Sequence, residues 1–184
     1  NGGLTDAHHF HGKDALLSGP AGGVVGMVAT ASAAGFDQLI GFDMGGTSTD
    51  VSHYAGELER TYETEVAGVR ERAPMMFIHT VAAGGGSIVH FDGARMRVGP
   101  DSAGADPGPA CYGRGGVRGT GTDANVVLGR LQPDFALGGS LTLDIAAARH
   151  AMETLAAQLG LGMEDTAEGV LALANEHMTQ ALRV

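Results

Sequence analysis

The chain has 184 residues, with 21 Asp and Glu against 11 Lys and Arg for a formal net charge of −10. That is enough length for one buried core, but no basic cluster is dense enough to follow a phosphodiester backbone, so no nucleic-acid partner is expected. No apolar run approaches the ~20 residues of a membrane-spanning helix, so no membrane partner is expected either.

Asn1 to Asp6 carry no initiator Met, basic n-region or apolar h-region, so both ends read as points inside a longer chain. The one cysteine, Cys111, has no internal disulfide partner, which agrees with a reducing, cytoplasmic setting. Three regions are expected: an entry segment with a small-residue helix over 1–36, a sheet-rich lobe over 37–131, and a helical segment over 132–184. Ser18-Gly19-Pro20 followed by the run Ala21 to Ala34 and then Gly35 predicts a helix with Pro in its first turn and Gly after its end. So many Ala and Gly residues imply a very close packing partner for it.

Leu39–Phe42, Thr49–Tyr54, Thr61–Val66, Met75–Val81, Ile88–Phe91 and Arg95–Val98 read as strands, with turns at Ala55-Gly56-Glu57 and Asp92-Gly93 between them. Met75 and Met76 are core candidates. Gly99 to Gly121, dominated by Gly, Pro, Asp and Ser, reads as a long ordered loop. Thr122-Asp123 is expected to cap a helix over Ala124–Leu131. Asp144 is expected to cap another, with Ile145, Ala148, Met152, Leu155 and Leu159 on its apolar side, ending at Gly160. A last helix carries Ala167, Val170, Leu171, Ala174, Met178 and Leu182 on one side. Strands followed by helices predict an α/β layered domain.

Glycine accounts for 31 of the residues, well above the usual ~7%, and falls in short clusters between apolar segments. An acidic protein can hold a nucleotide if backbone N–H groups and a divalent cation, rather than Lys and Arg, meet the phosphates. The densest such chemistry is Leu39-Ile40-Gly41-Phe42-Asp43-Met44-Gly45-Gly46-Thr47-Ser48-Thr49-Asp50-Val51. An apolar strand delivers Asp43, Gly45-Gly46 permits a tight turn, and Thr47, Ser48 and Thr49 offer hydroxyls before the next strand. Such a hairpin suits a phosphate, with Asp43 and Asp50 placed to hold Mg²⁺ or orient a water; the bland alternative is a tight turn capped by Asp43.

The string Gly41 to Val51 resembles a phosphate motif of the hydantoinase A/5-oxoprolinase family, whose members include N-methylhydantoinase A and relatives of the acetone carboxylase beta subunit. Three further blocks resemble it in the same order: Leu17 to Val24, His79 to Ile88, and Gly99 to Gly116 with Thr122-Asp123-Ala124-Asn125 after it. The resemblance implies part of an actin-like (ribonuclease H-like) ATPase lobe, using ATP and Mg²⁺ to phosphorylate the carbonyl of a cyclic amide before ring opening. A hydantoinase B-type subunit is the implied partner. A ketone carboxylase lobe and a purely structural lobe are the alternatives. The chain lacks a first-lobe D-x-G-G-T hairpin and a downstream adenosine-contacting segment, so the fragment alone is expected to be inactive.

On this reading Asp43 handles metal or water, Asp50 assists, and Gly45, Gly46, Thr47, Ser48 and Thr49 contact phosphate. Gly84, Gly85 and Gly86, followed by Ser87, form a candidate second anion nest or substrate loop, against the blander reading of a glycine-rich bend between strands. His79 is a candidate base, or a metal ligand with Cys111 and a carboxylate such as Asp106 in a Zn²⁺-like site, and Cys111 is alternatively a nucleophile, against the blander reading of a structural His and a buried thiol. Asp101 and Asp106 read chiefly as turn residues. His8, His9 and His11 fit no regular ligand spacing.

Overall fold

The computed structural model describes residues 6–9, 12–15, 18–62, 64–66, 69–71, 75–135 and 137–183. They form two compact units, Asn1–Asp43 with Asp50–Thr80, and Met44–Thr49 with Val81–Val184.

In the first unit a short helix α1 (Gly12–Ala15) precedes α2 (Ser18–Ala33). Pro20 in the first turn costs no hydrogen bond because that N–H has no intrahelical acceptor. The far end closes as a Schellman motif: Gly35 takes φ +89°, its N–H donates to the Ser32 carbonyl, and the Phe36 N–H donates to the Ala31 carbonyl, each at 3.0 Å. The close partner expected from the small residues is not seen among the described residues. A Cβ on Gly19, Gly22, Gly23 or Gly26 would meet nothing within 4 Å, and only Ala21 and Val24 of this helix are buried. They pack with Met76, Met27, Val28, Leu58 and Ile78.

A three-stranded sheet has β2 (Thr49–Ala55) between β1 (Gln38–Met44) and β7 (His79–Val81). Beside it are two small antiparallel ladders, β3 (Arg60–Thr61) on β6 (Met75–Met76) and β4 (Thr64–Val66) on β5 (Val69–Glu71). The expected strand Thr61–Val66 is thus broken into two ladder pieces, with Glu63 outside the described residues. The expected strand Met75–Val81 is interrupted at Phe77 and Ile78, because β6 pairs with β3 and β7 with β2. Met75 and Met76 are core as expected, at 6% and 3% exposure.

The second unit opens with an antiparallel hairpin, β8 (Ser87–Phe91) on β9 (Met96–Ser102). Asp92 fixes its turn by accepting from the Ala94 and Arg95 N–H groups, each at 3.0 Å, and from the Arg97 side chain at 2.5 Å. β9 is longer than expected, since Ser102 still pairs with Ser87, so the first residues of the expected loop are strand. The rest of the loop is ordered and partly internal, with Gly108 to Cys111 buried and a 3-10 turn over Ala110–Tyr112.

Helix α3 covers Gly121–Val127, and its N-cap is Thr120 rather than Thr122-Asp123. The Thr120 hydroxyl accepts from the Asp123 N–H while the Asp123 carboxylate accepts from the Thr120 N–H, a reciprocal capping box. After 3-10 turns at Pro133–Phe135 and Leu137–Gly139 come α4 (Ile145–Leu159) and α5 (Met163–Ala181). As expected, Asp144 caps α4, accepting from Ala147 N–H at 2.9 Å, and Gly160 ends it at φ +67°. Ile145, expected on the apolar side, stands 46% exposed, whereas Ala148, Met152 and Leu155 are buried. The α4 and α5 stripes close on β8, β9 and α3 through Val89, Val98, Ala124, Met152, Leu155, Ala167 and Val170. Among the described residues no helix is long and apolar enough to cross a membrane.

Candidate functional site

In the first unit, alternation along a strand puts Gly41 and Asp43 on one face of β1, and Asp50 and Ser52 on one face of β2. All four line a cavity of about 390 Å³ together with Met27 of α2, a size in the range of small-ligand pockets. Gly41 is required there, because a Cβ would collide with the Ser52 hydroxyl and approach the Met27 sulfur to 2.9 Å. Asp50 accepts a hydrogen bond from the Thr80 hydroxyl at 2.6 Å through Oδ1, while Asp43 is exposed and its carboxylate has no hydrogen-bond partner among the described residues. These are two oxygen donors of the hard type that suits Mg²⁺.

His79 is not brought to them. It precedes Thr80 in β7, so its side chain leaves the opposite face of the strand from the Thr80–Asp50 hydrogen bond. His79 is half-buried and its imidazole has no hydrogen-bond partner among the described residues. Among the described residues no three His, Cys, Asp or Glu side chains gather where a metal ion fits, so the Zn²⁺-like set of His79, Cys111 and Asp106 does not form. His11 lies outside the described residues, as does Leu17 of the first resembling block.

In the second unit, the turn from Gly45 to Thr49 is clasped by Ala83 to Gly86. The Gly45 N–H donates to the Ser48 carbonyl at 2.8 Å, closing the turn on itself. The Gly85 N–H donates to the Gly45 carbonyl at 3.0 Å, and the Gly86 N–H to the Gly46 carbonyl at 2.7 Å. A trans peptide is planar, with its N–H opposite its C=O. Pinning the Gly45 and Gly46 carbonyls toward the clasp therefore turns the next two N–H groups, those of Gly46 and Thr47, away from it. Neither these N–H groups, nor that of Ser48, nor the Thr47 and Ser48 hydroxyls have a partner among the described residues. Successive outward N–H groups of this kind make an anion-binding concavity.

Two sequence expectations change here. Thr49 is fully buried and its hydroxyl donates to the Ala83 carbonyl at 2.5 Å, so it locks the turn instead of facing a ligand. Gly84, Gly85 and Gly86 are not a second nest, because their N–H groups are spent on the Ser87 hydroxyl and the Gly45 and Gly46 carbonyls. They are glycines for proximity: a Cβ on Gly84 would stand 2.7 Å from the Gly45 and Gly46 carbonyl oxygens, and one on Gly86 would stand 2.9 Å from the latter.

Sequence reasoning missed what holds the clasp. The Gly85 carbonyl accepts from both the N–H and the hydroxyl of Thr122, each at 2.8 Å. Asp123, fully buried, accepts from Ala110 N–H (3.2 Å), Cys111 N–H (2.8 Å), Thr120 N–H (3.0 Å) and the Thr120 hydroxyl (2.8 Å). The spacing Thr120-x-x-Asp123 carried that signal as a capping-box pattern. Cys111 is the buried thiol of the blander reading. Burial, and then the neighbouring Asp123 carboxylate, push its pKa well above the ordinary thiol range.

The model of the Hydantoinase/oxoprolinase family matches residues 1–184. The chain is 46% identical over 201 residues to 5-oxoprolinase 1 of Arabidopsis thaliana, covering 100% of this chain and 16% of that protein. It is 40% identical over 188 residues to caprolactamase subunit alpha of Pseudomonas jessenii, covering 100% and 27%. Two solved structures are similar, each covering 90% of this chain and 24% of the other. One is a nucleotide-free acetone carboxylase, with a TM-score of 0.83 at 34% identity. The other is an ATP-dependent caprolactamase from Pseudomonas jessenii, with a TM-score of 0.77 at 42% identity. The chain thus spans about a sixth of the length of the first relatives it matches. Its antiparallel hairpins followed by helices are the expected α/β, partial actin-like arrangement, shared with both structures. Matched along its whole length, the chain belongs to the hydantoinase/oxoprolinase family.

Proposed function

We propose that this chain is a phosphate-binding lobe of an ATP-dependent cyclic-amide hydrolase. The observation that carries the reading is the clasped turn, whose outward Gly46 and Thr47 N–H groups, with the Thr47 and Ser48 hydroxyls, offer an anion several donors without a basic side chain. In sequence the turn is flanked by Asp43 and Asp50, the carboxylates that would hold Mg²⁺. Neutralising charge on phosphate oxygens is what such an ion does in phosphoryl transfer. The names of the relatives supply the substrate class, since 5-oxoprolinase and ATP-dependent caprolactamase are both named for lactams.

In the reaction so inferred, the lactam oxygen takes the terminal phosphoryl group of ATP and ADP leaves. Water then adds to the activated carbon, the ring C–N bond opens as its nitrogen takes up a proton, and a second water releases phosphate from the acyl phosphate so formed, leaving the carboxylate. This chain's residues do the positioning: Gly46, Thr47 and Ser48 hold phosphate oxygens, and Asp43, with Asp50 oriented by Thr80, holds the ion or the water. Thr49 and Gly84 to Gly86 keep the turn rigid. His79 is left with a structural role. A second subunit of the hydantoinase B type is the partner we infer, in line with a relative named as a subunit alpha, and a cytoplasmic location is proposed with it.

The likeness to acetone carboxylase keeps one rival, ATP-dependent activation of a ketone. ADP release by the complete parent chain with its partner subunit separates the two. Release that depends on 5-oxoproline or another lactam, and that falls at least about a hundredfold in Asp43→Ala, supports the hydrolase. Release that depends on a ketone plus bicarbonate would favour the carboxylase. Release indifferent to Asp43 would refute the site.

A further inference from the structure

The phosphate turn is oriented from a distance, through two lines of peptide planes. In the first, the Ser87 N–H donates to the Gly84 carbonyl at 3.0 Å; on the far side of that peptide the Gly85 N–H donates to the Gly45 carbonyl; and on the far side of the next the Gly46 N–H faces outward. In the second, the N–H and hydroxyl of Thr122 hold the Gly85 carbonyl, the Gly86 N–H holds the Gly46 carbonyl, and the Thr47 N–H faces outward. Each step follows from planarity: fixing a carbonyl on one side fixes the N–H on the other. The first line starts from a residue inside the clasp. The second starts from Thr122, in the first turn of α3, 37 positions along the chain from Gly85.

We propose that Thr122 and Asp123 are positioning residues for nucleotide binding, setting the direction of the Thr47 N–H through Gly85, Gly86 and Gly46. The proposal rests on the nucleotide reading of the turn. Thr122 acts directly, because both of its donors meet one carbonyl oxygen, which defines that peptide plane more tightly than a single donor would. Asp123 acts through Thr122. Its carboxylate gathers the Thr120 N–H and hydroxyl at the start of α3 and the Ala110 and Cys111 N–H groups of the preceding 3-10 turn. It thereby fixes where the first turn of α3 begins, and with it the Thr122 donors. The space is closed on the other side as well, since a Cβ on Gly85 would meet the Thr122 hydroxyl oxygen at 2.9 Å. Chains of hydrogen bonds polarise one another, so each line also strengthens the donor at its open end.

The test uses the complete parent chain with its partner subunit and reads the Kd of Mg²⁺ with a non-hydrolysable ATP analogue by calorimetry, alongside the melting temperature without nucleotide. Thr122→Val keeps the side-chain shape and the backbone donor but removes the hydroxyl. It is expected to weaken analogue binding about tenfold, the scale of one well-placed hydrogen bond. The melting temperature should fall by only a few degrees, and the KM for the amide substrate should stay unchanged. Thr122→Ser, which restores the hydroxyl, is expected to recover most of the affinity. Asp123→Asn should weaken binding further, because its amide NH₂ would face donors. If that variant does not fold, the Thr122 pair decides alone. Full affinity in Thr122→Val, or a loss that Thr122→Ser does not recover, overturns the proposal while leaving the nucleotide reading intact. Absence of analogue binding by the unaltered parent would sink both.

Discussion

Gly84→Ala is the sharpest probe of the clasp, because the structure sets its geometry atom by atom. The new methyl would sit 2.7 Å from the carbonyl oxygens of Gly45 and Gly46 and 2.7 Å from the Gly46 carbonyl carbon, where ordinary contact begins at 3.4 Å. Roughly 0.7 Å must therefore be found, and all of these atoms are backbone, with no side-chain rotamer to yield. The turn would be pushed off the clasp, stretching the 3.0 Å and 2.7 Å hydrogen bonds from Gly85 and Gly86 and loosening the outward N–H groups. Overpacking of this kind costs about 1–3 kcal/mol in stability, and displacing a positioning group by about 1 Å costs on the order of a hundredfold in rate. Gly22→Ala is the matched control. The same methyl added within α2 would meet nothing within 4 Å, and Ala in a helix interior is favoured over Gly by about 1 kcal/mol. Thermal unfolding is expected to move down for Gly84→Ala and up or not at all for Gly22→Ala. ADP release by the parent enzyme should fall only for Gly84→Ala. Equal behaviour of the two variants in both measurements would refute the clasp argument.

Two pH dependences follow from the buried and turn chemistry. Asp92, held well below the ordinary carboxylate range by Arg97 and then by the Arg95 and Ala94 N–H groups, contributes stability that is present above pH ~4 and is lost as pH falls toward its lowered folded value. Asp92→Asn should flatten that acid limb in an unfolding series, and an unchanged limb would show that the turn does not need the charge. Cys111 has the opposite sign. Its folded pKa is raised from 9.0 by burial and then by Asp123, so its contribution is complete below pH 9.0 and is lost as pH rises beyond it. A thiol reagent at pH 8 should modify Cys111 only at the rate of unfolding, and rapid modification of the native protein would contradict its burial.

The parts of the fold legible in the sequence were those whose signals are local. Gly35 after a small-residue run, Asp144 before an apolar stripe and Gly160 at its end each work within a few residues of themselves, and each was found where the pattern put it. The turn at Gly45-Gly46 was legible for the same reason. What the sequence hid was decided by partners far along the chain. β9 runs on to Ser102 because Ser87 pairs with it, and Met75–Val81 divides because its two ends join different neighbours. The glycine triplet Gly84 to Gly86 looked like an anion nest because a nest and a clasp have one composition. Only the acceptors separate them, and those lie 40 positions away in Gly45 and Gly46.

The same contrast explains how the proposed site works with so much glycine and so little positive charge. A Lys at the turn would meet a phosphate as a flexible point charge, and holding a Lys or an Arg side chain in one geometry would cost side-chain entropy. Backbone N–H groups carry no such cost once the peptide planes are fixed, but they point at a ligand only if their carbonyls are occupied on the other side. Here those carbonyls are occupied by other N–H groups, at contact distances that exclude a Cβ on Gly84 and Gly86. The buried hydroxyl of Thr49 on the Ala83 carbonyl ties the turn's last residue to the clasp's first. On the proposed function the turn therefore offers an anion fixed donors in a chain whose net charge is −10. Its affinity should follow the integrity of a glycine-to-glycine contact more closely than the total charge of the lobe.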